Sequence, residues 1–128
     1  MKKLLLTLIL ALISSSAMAE WVAIGTADNS IHYANPNTIR KSGNKVKIWT
    51  LIDFNAVEEH KGDKFLSIKA QEQYDCKEEQ RRLLYFSRHS ENMGGGGIVY
   101  SDAKPDKSWR PIPPDSMAEM VWKYVCRK

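Results

Sequence analysis

The sequence predicts an α+β domain in which about six strands are followed by one C-terminal helix. Short segments of alternating apolar and polar residues fill most of the chain, and one stretch with helical spacing ends it. A third observation is a pair of cysteines, Cys76 at the end of a predicted strand and Cys126 in the predicted helix. We therefore expect the helix to pack on one face of the sheet and to be held there by a disulfide.

The predicted strands are short and are separated by turn residues. They span residues 21–26, 30–34, 45–54, 64–76, 80–90 and 98–101. The third is the clearest, because four of the five even positions from Val46 to Phe54 are apolar and the fifth is Thr50, as in a half-buried strand. A turn is predicted at Asn35–Thr38, and the charged segment 55–63, which contains Gly62, is predicted to be a loop.

The helix is predicted from an apolar face and a start signal. Ser116 and Glu119 have the spacing of a capping box, and they follow a proline-rich extended segment. The apolar positions of the helix recur at intervals of three and four residues and are Met117, Met120, Val121, Tyr124 and Val125. This pattern predicts one buried face, with Cys126 at its edge.

The N-terminus has the three parts of an export signal. Two lysines precede an apolar run over residues 4–13, and an Ala-x-Ala cleavage site follows. The apolar run is shorter than the roughly 20 residues that a membrane-spanning helix needs. We expect residues 1–19 to be a signal peptide and residues 20–128 to be one exported domain, periplasmic or secreted and without stable membrane insertion.

The charge of the chain does not point to a nucleic-acid partner. The formal charge is +4, and removal of the two signal-peptide lysines leaves 4 − 2 = +2. Basic residues are spread along the sequence and form no single run, which is typical of a solvated surface.

The two cysteines survive signal cleavage, and two thiols in a small exported domain usually pair. A bridge from residue 76 to residue 126 would stabilise the fold by about 4 kcal/mol in the chain-entropy model. The alternatives are a catalytic or a metal-binding thiol. The chain lacks a Cys-x-x-Cys motif and lacks histidines at ligand spacing, which favours a structural bridge.

No motif predicts an enzyme, a cofactor site or a metal site. His32, His60 and His89 are isolated in sequence, and neither a nucleophile elbow nor an HExxH motif is present. The four glycines 94–97 are followed by a predicted strand, whereas a phosphate-binding loop requires Lys and Ser or Thr at the start of a helix. We expect these glycines to form a hairpin loop.

A second apolar patch is predicted on the sheet face that the helix does not cover. Trp49 and Leu51 lie opposite the apolar face of the third strand. The fifth strand is apolar on both faces, so that either Leu83 and Tyr85 or Leu84 and Phe86 point outward. The patch is either a partner or subunit interface, or it is covered by loops or the N-terminal strand.

The chain resembles the bacterial surface-adhesin protein E family over nearly its whole mature length. The segments that carry the resemblance are Trp21–Gly25, Tyr33–Pro36, Ile39–Leu51, Tyr74–Cys76, Arg82, Gly97–Tyr100, Trp109–Ser116 and Trp122–Cys126. The resemblance implies a six-stranded antiparallel sheet with a C-terminal helix on its concave face and a Cys76–Cys126 bridge. It also implies a small exported Gram-negative protein, and the name-giving member is a dimeric adhesin for laminin and vitronectin.

Two functions are compatible with this resemblance. The first is an adhesin-like binding protein for a host matrix or serum glycoprotein, for which the resemblance also suggests a homodimer. The second is a periplasmic housekeeping or enzyme-inhibitor protein, which the absence of a lipobox cysteine favours. The partner-binding candidates are Trp49 and Tyr85 as apolar anchors, with the basic residues Lys61, Lys64, Arg81, Arg82 and Arg88.

Overall fold

A computed structural model describes residues 20–127, in which six strands form one antiparallel sheet in the order of the chain. The elements are β1 (Val22–Ala27), β2 (Ser30–Ser42), β3 (Lys45–His60), β4 (Asp63–Asp75), β5 (Gln80–His89), β6 (Ile98–Asp102), β7 (Arg110–Pro111) and α1 (Met117–Arg127). The two-residue β7 pairs with β5. The predicted α+β fold is confirmed. The predicted signal peptide lies outside the described residues, and within 20–127 no helix could span a membrane.

The sheet is a continuous meander, because each strand from β1 to β6 pairs antiparallel with the next one along the chain. β2 is longer than predicted, since the chain does not turn away at Asn35–Thr38. The pairing with β3 is interrupted there, and side chains replace the missing ladder bonds. Thr38 Oγ1 donates to the carbonyl of Asn35 and accepts from the backbone N–H of Trp49, at 2.7 and 3.0 Å. The irregularity accommodates Pro36, which has no N–H to donate.

The prediction of a loop over residues 55–63 is wrong. β3 continues to His60, pairs with the start of β4, and turns at Lys61 and Gly62, both of which have positive φ. The pairing shifts between Asp53 and Glu58, so the hairpin continues beyond an irregular segment. A charged sequence can form this hairpin because most of its side chains remain in water.

The helix begins at the predicted capping box. The backbone N–H of Glu119 donates to Ser116 Oγ at 3.1 Å, and the Glu119 carboxylate accepts from the N–H of Asp115. α1 lies against β1, β2 and β3 and buries Val121 and Val125. The sheet residues beneath these two valines are Ala34, Val46, Ile48 and Tyr74, which are all at most 3% exposed.

The predicted disulfide is present. Cys76 and Cys126 are bonded, with their Cα atoms 5.6 Å apart. The Cys76 N–H donates to the carbonyl of Asn44, which fixes the position of the residue just after β4. Trp122 adds a second connection on the same side, because its indole N–H donates to the carbonyl of Asp75 at 3.0 Å. The end of the helix is therefore held to the end of β4 by a covalent bond and a hydrogen bond.

Candidate partner-binding face

Strand register assigns each side chain to one of two faces of the sheet, since residues directly opposite each other in neighbouring strands point the same way. The helix-side face contains Ala34, Val46, Ile48, Thr50, Glu72, Tyr74 and Arg81. The outer face contains Asn35, Arg40, Lys45, Lys47, Trp49, Leu51, Asp53, Ser67, Lys69, Gln71, Gln73, Asp75, Arg82, Tyr85, Ser87 and His89. Both predicted apolar anchors, Trp49 and Tyr85, thus lie on the outer face.

The structure brings Trp49 and Tyr85 into direct contact. Their ring centroids are 5.6 Å apart in an edge-to-face arrangement, which is a favourable geometry for aromatic pairs. Both rings line an open groove of about 360 Å³, and both are partly exposed. The groove is therefore a preformed aromatic surface.

Seven further residues line the groove, and none of them was predicted as a partner-binding residue from the sequence. Trp21 and Ile98 add apolar surface, while Lys69 and His89 add polar groups. Trp21 precedes β1 and Ile98 begins β6, so the groove spans the sheet from one edge to the other. Their contribution depends on the order of strands across the sheet, which a local pattern does not report.

An irregularity in β5 explains why both of its faces are apolar. Tyr85 pairs with Gln71, whereas Leu83 pairs with the next residue, Glu72, so Leu84 is an extra residue in the strand. Leu83 and Phe86 consequently share the helix-side face, and Tyr85 points outward. Neither predicted pair, Leu83 with Tyr85 or Leu84 with Phe86, points outward together, because a bulge reverses the parity of the strand.

One end of the outer face is covered by the glycine-rich connection between β5 and β6. Asp53 accepts hydrogen bonds from Asn92 Nδ2 and from the N–H of Met93, and Ser67 Oγ accepts from the N–H of Gly94. Gly94 has φ +75°, and a Cβ there would collide with Lys69. Leu51, which shares this end of the face, is fully buried.

The predicted apolar patch is thus divided into two parts. Its Leu51 end is covered by a loop, and its Trp49 and Tyr85 end is an open groove. The alternative of a covering loop is correct for the Leu51 end, and the partner or subunit interface stays a prediction for the open end.

The five predicted basic residues do not converge on the groove. Lys61 and Lys64 lie at the tip of the β3–β4 hairpin, about 30 Å along β4 from the row that contains Arg82. Arg81 and Arg82 are neighbours in sequence but lie on opposite faces. The structure therefore places one of the five, Arg82, on the outer face beside the aromatic pair.

Arg82 is held by a ring and an amide. Its guanidinium lies 4.5 Å from the ring centroid of Trp109, and its Nε donates to Gln73 Oε1 at 2.9 Å. The ammonium of Lys45 approaches the same ring at 5.8 Å. The contacts are cation–π interactions, which orient the guanidinium without neutralising its charge.

Arg81 belongs to a buried polar cluster on the helix-side face. Its guanidinium pairs with Glu72 at 2.8 Å, and the other carboxylate oxygen of Glu72 accepts from the hydroxyls of Thr50 and Tyr74. Burial and the adjacent Glu72 carboxylate raise the pKa of the Tyr74 phenol well above its usual value. These groups line a cavity of about 150 Å³ next to Met117 at the start of the helix. The hydrogen bonds are satisfied within the cluster, as expected of a structural network.

Arg88 lies among aromatic rings on the part of the sheet beyond the helix. Its guanidinium is 4.8 Å from the ring centroid of Tyr100, 5.2 Å from that of Phe86 and 5.4 Å from that of Phe65. These contacts hold Arg88 away from the outer groove, since Arg88 pairs with Ile68 on the opposite face.

The histidines remain separate in space. His32 and His89 each contact a neighbouring serine, Ser30 and Ser87 respectively. Burial lowers the pKa of His32 against the opposing effect of Glu72. Burial also lowers the pKa of His89, together with the nearby Lys69 ammonium. Within residues 20–127 no group of three or more His, Cys, Asp or Glu side chains could hold a metal ion.

Comparison with known proteins supplies the family context. A family model described as surface-adhesin protein E matches residues 21–127. Solved structures of Haemophilus influenzae protein E have the same fold: one matches with a TM-score of 0.67 and 12% identity, covering 88% of this chain and 87% of that chain. A second crystal form of Haemophilus influenzae protein E matches with a TM-score of 0.63 and 14% identity, covering 85% of this chain and 97% of that chain. Protein E from non-typeable Haemophilus influenzae matches with a TM-score of 0.65 and 12% identity, covering 88% of this chain and 79% of that chain. No curated protein matches significantly by sequence.

Proposed function

The chain belongs to the surface-adhesin protein E family, and we propose that it is an exported, non-enzymatic binding protein of the adhesin type. One observation carries the proposal: the sheet face opposite the helix has an open groove built around Trp49 and Tyr85. A contiguous exposed apolar patch is typical of an interaction site, and tryptophan and tyrosine are enriched among the residues that contribute most to binding.

The partner is a large host glycoprotein of the extracellular matrix or serum, as the family suggests. Trp49 and Tyr85 act as anchors that are buried on binding, and Arg82 supplies the adjacent positive charge. Aromatic and arginine side chains are the commonest sources of binding energy at protein interfaces. Exposed lysines such as Lys61 and Lys64 at the hairpin tip would affect the association rate more than the affinity.

The remaining candidates have other roles in this proposal. Arg81 supports the helix-side cluster through Glu72, and Arg88 is retained by its aromatic neighbours. We do not assign either residue to the contact with the partner, because both lie on the other face of the sheet.

A matched pair of tyrosines tests the binding face. Tyr85 lies in the groove and Tyr100 lies in β6 beside Arg88, so Tyr85→Ala and Tyr100→Ala remove the same ring from opposite faces. With immobilised laminin and vitronectin, Tyr85→Ala should lower the affinity about tenfold or more, while Tyr100→Ala should bind as the parent protein does. Equal losses in both variants would contradict the assignment of the groove.

Cell fractionation tests the adhesin function itself. Labelling of the protein on intact cells, together with saturable binding to either matrix protein, would support it. Release by osmotic shock alone, without saturable binding, would instead indicate the periplasmic housekeeping or inhibitor protein. Sedimentation of the purified protein checks the homodimer prediction, and Tyr85→Ala would weaken a dimer that uses the groove.

A further inference from the structure

The sheet arranges basic residues that are distant in sequence into one row on the outer face. Arg40 pairs with Lys47, Lys47 pairs with Gln73, and Gln73 pairs with Arg82. The row therefore crosses β2, β3, β4 and β5, and three of its four positions carry a positive charge. Neighbouring strands are about 4.8 Å apart, so the Cα atoms of the row extend over about 15 Å.

Two more cations flank this row on the same face. Lys45 lies one row away on β3 and approaches the ring of Trp109, and Lys69 lines the aromatic groove. The five outer-face cations of β2–β5 are thus Arg40, Lys45, Lys47, Lys69 and Arg82.

In these outer-face rows of β2–β5, five cations stand against two carboxylates, Asp53 and Asp75. The Asp53 carboxylate accepts hydrogen bonds from the N–H of Met93 and from Asn92 Nδ2. The Asp75 carboxylate accepts hydrogen bonds from the N–H groups of Lys77 and Glu78. The ion pairs among residues 20–127 involve other cations: Arg81 with Glu72, Arg110 with Asp106 and Lys123 with Glu119. The outer face consequently has an unbalanced positive charge.

The row of cations runs beside the aromatic groove. Lys47 and Trp49 are two residues apart on β3, which corresponds to about 7 Å. A ligand that extends across the strands would therefore meet charged groups along one side and ring faces along the other. Along this row β3 and β4 are hydrogen-bonded on both sides, whereas Arg40 and Arg82 lie at its two ends, beyond the stretches of β2 and β5 that pair with β1, β6 and β7.

We propose that this outer face binds a sulfated polysaccharide chain, an inference that rests on the proposed adhesin function and specifies the chemistry of its ligand. Sulfate groups match the cations, and guanidinium groups in particular form paired hydrogen bonds with such oxyanions. The C–H faces of sugar rings pack on aromatic rings such as Trp49 and Tyr85. The groove is open, so a polymer can extend past it in both directions.

An acidic protein segment fits the face less well. Extended peptides gain affinity from backbone hydrogen bonds along a free strand edge, and a peptide paired in this way with β2 or β5 would run perpendicular to the cation row, which crosses the strands. A polysaccharide needs no such edge, because it has no amide backbone to pair: its sulfate groups project from the chain, and its sugar rings are the chain itself.

The test uses the full chain expressed with its own N-terminus and purified from the compartment it reaches. Titration calorimetry would compare a heparin-derived oligosaccharide with the same oligosaccharide after desulfation. The test variant combines Arg40→Gln, Lys47→Gln and Arg82→Gln. The matched control combines Lys41→Gln, Lys123→Gln and Arg127→Gln, which removes the same charge from exposed residues on the helix side of the protein.

We expect binding of the sulfated probe, a strong decrease with salt, and negligible binding of the desulfated probe. The test variant should bind roughly ten- to a hundredfold more weakly, and the control variant should match the parent protein. An equal loss in both variants would show that net charge alone is responsible and would overturn the proposal.

Two other outcomes would overturn the proposal while leaving the adhesin function in place. One is binding of laminin or vitronectin through Tyr85 with no binding of the sulfated probe. The other is preferential binding of a polyglutamate peptide through the same three cations, which would identify an acidic protein segment as the ligand. Failure of the adhesin function itself is recognised separately, by the absence of saturable binding to either matrix protein.

Discussion

The two faces of the sheet differ in how their side chains are used. The helix-side face is covered by α1, contains the core residues Ile48 and Tyr74, and is fastened by the Cys76–Cys126 bridge. The outer face is covered at one end by the glycine-rich connection between β5 and β6, and its aromatic groove and row of cations are exposed. This difference indicates that stability comes mostly from one face, which leaves the other available for binding.

The disulfide should give the largest difference between the faces. The double variant Cys76→Ala/Cys126→Ala should lower the free energy of unfolding by about 4 kcal/mol, because a bridge closing a segment of this length restricts the unfolded chain. Urea denaturation measures the loss. Ligand binding should persist at temperatures where the variant is still folded, since the groove lies on the other face. Loss of binding in the folded variant would contradict the separation of roles.

Two buried aliphatic residues test whether the glycine-rich connection between β5 and β6 covers the outer face as firmly as α1 covers the helix-side face. Ile48 on the helix-side face and Leu51 on the outer face are both 0% exposed. Each change to alanine should lower the free energy of unfolding by about 3 kcal/mol, because apolar burial is lost and a cavity is left. Chemical denaturation of both variants gives the comparison. A cost below about 1 kcal/mol for Leu51→Ala alone would mean that this end of the outer face opens readily.

In each covering segment, a side-chain oxygen accepts a hydrogen bond from a backbone N–H. Ser116 Oγ accepts the N–H of Glu119 at the start of α1, and Asp53 accepts the N–H of Met93 in the turn over the outer face. We expect Ser116→Ala and Asp53→Ala each to cost about 1 kcal/mol in the free energy of unfolding. Hydrogen exchange of the Met93 amide should accelerate only in the Asp53 variant, which distinguishes local opening from a general loss of stability.

The smallest expected effect is a dependence of stability on pH that both faces share. The pKa values of His32 on the helix-side face and His89 on the outer face are lowered from 6.5, chiefly by burial. On acidification the unfolded chain binds these protons first, so stability is fully present above about pH 6.5 and declines as the pH falls below it.

Denaturation at pH 7.5 and 5.5 would measure this decline. His89→Gln should reduce it, and the exposed His60 provides the matched control in His60→Gln. A decline of unchanged size in the His89 variant would show that His89 does not contribute. This result would leave His32 as the histidine to examine.

Much of the fold was predictable because its determinants are local. The alternation of β3 and the three- and four-residue spacing of α1 each state which side of an element is apolar. The capping box of Ser116 and Glu119 fixed the start of the helix in the same way. The charged hairpin over 55–63 was missed because its side chains bury little, so no apolar pattern marks it as a strand.

The candidate site was only partly predictable. The parity of β3 placed Trp49 outward, and it also placed Lys45 and Lys47 beside it, which was a signal that could have been used. Arg81 and Arg88 were chosen for their charge, yet register assigns them to the helix-side face. The bulge at Leu84 reverses which positions of β5 point to each face, and no residue type in the strand indicates a bulge.

By itself the sequence determined the count of six strands and one helix, the cysteine pair and the family, since each depends on short-range spacing or on the order of motifs along the chain. The tertiary structure alone decided which side chains share a face. It placed Tyr85 against Trp49 and aligned Arg40, Lys47 and Arg82 in one row. The physical reason is that strand pairing joins residues far apart in sequence, and a shift of one residue in register moves a side chain to the other face.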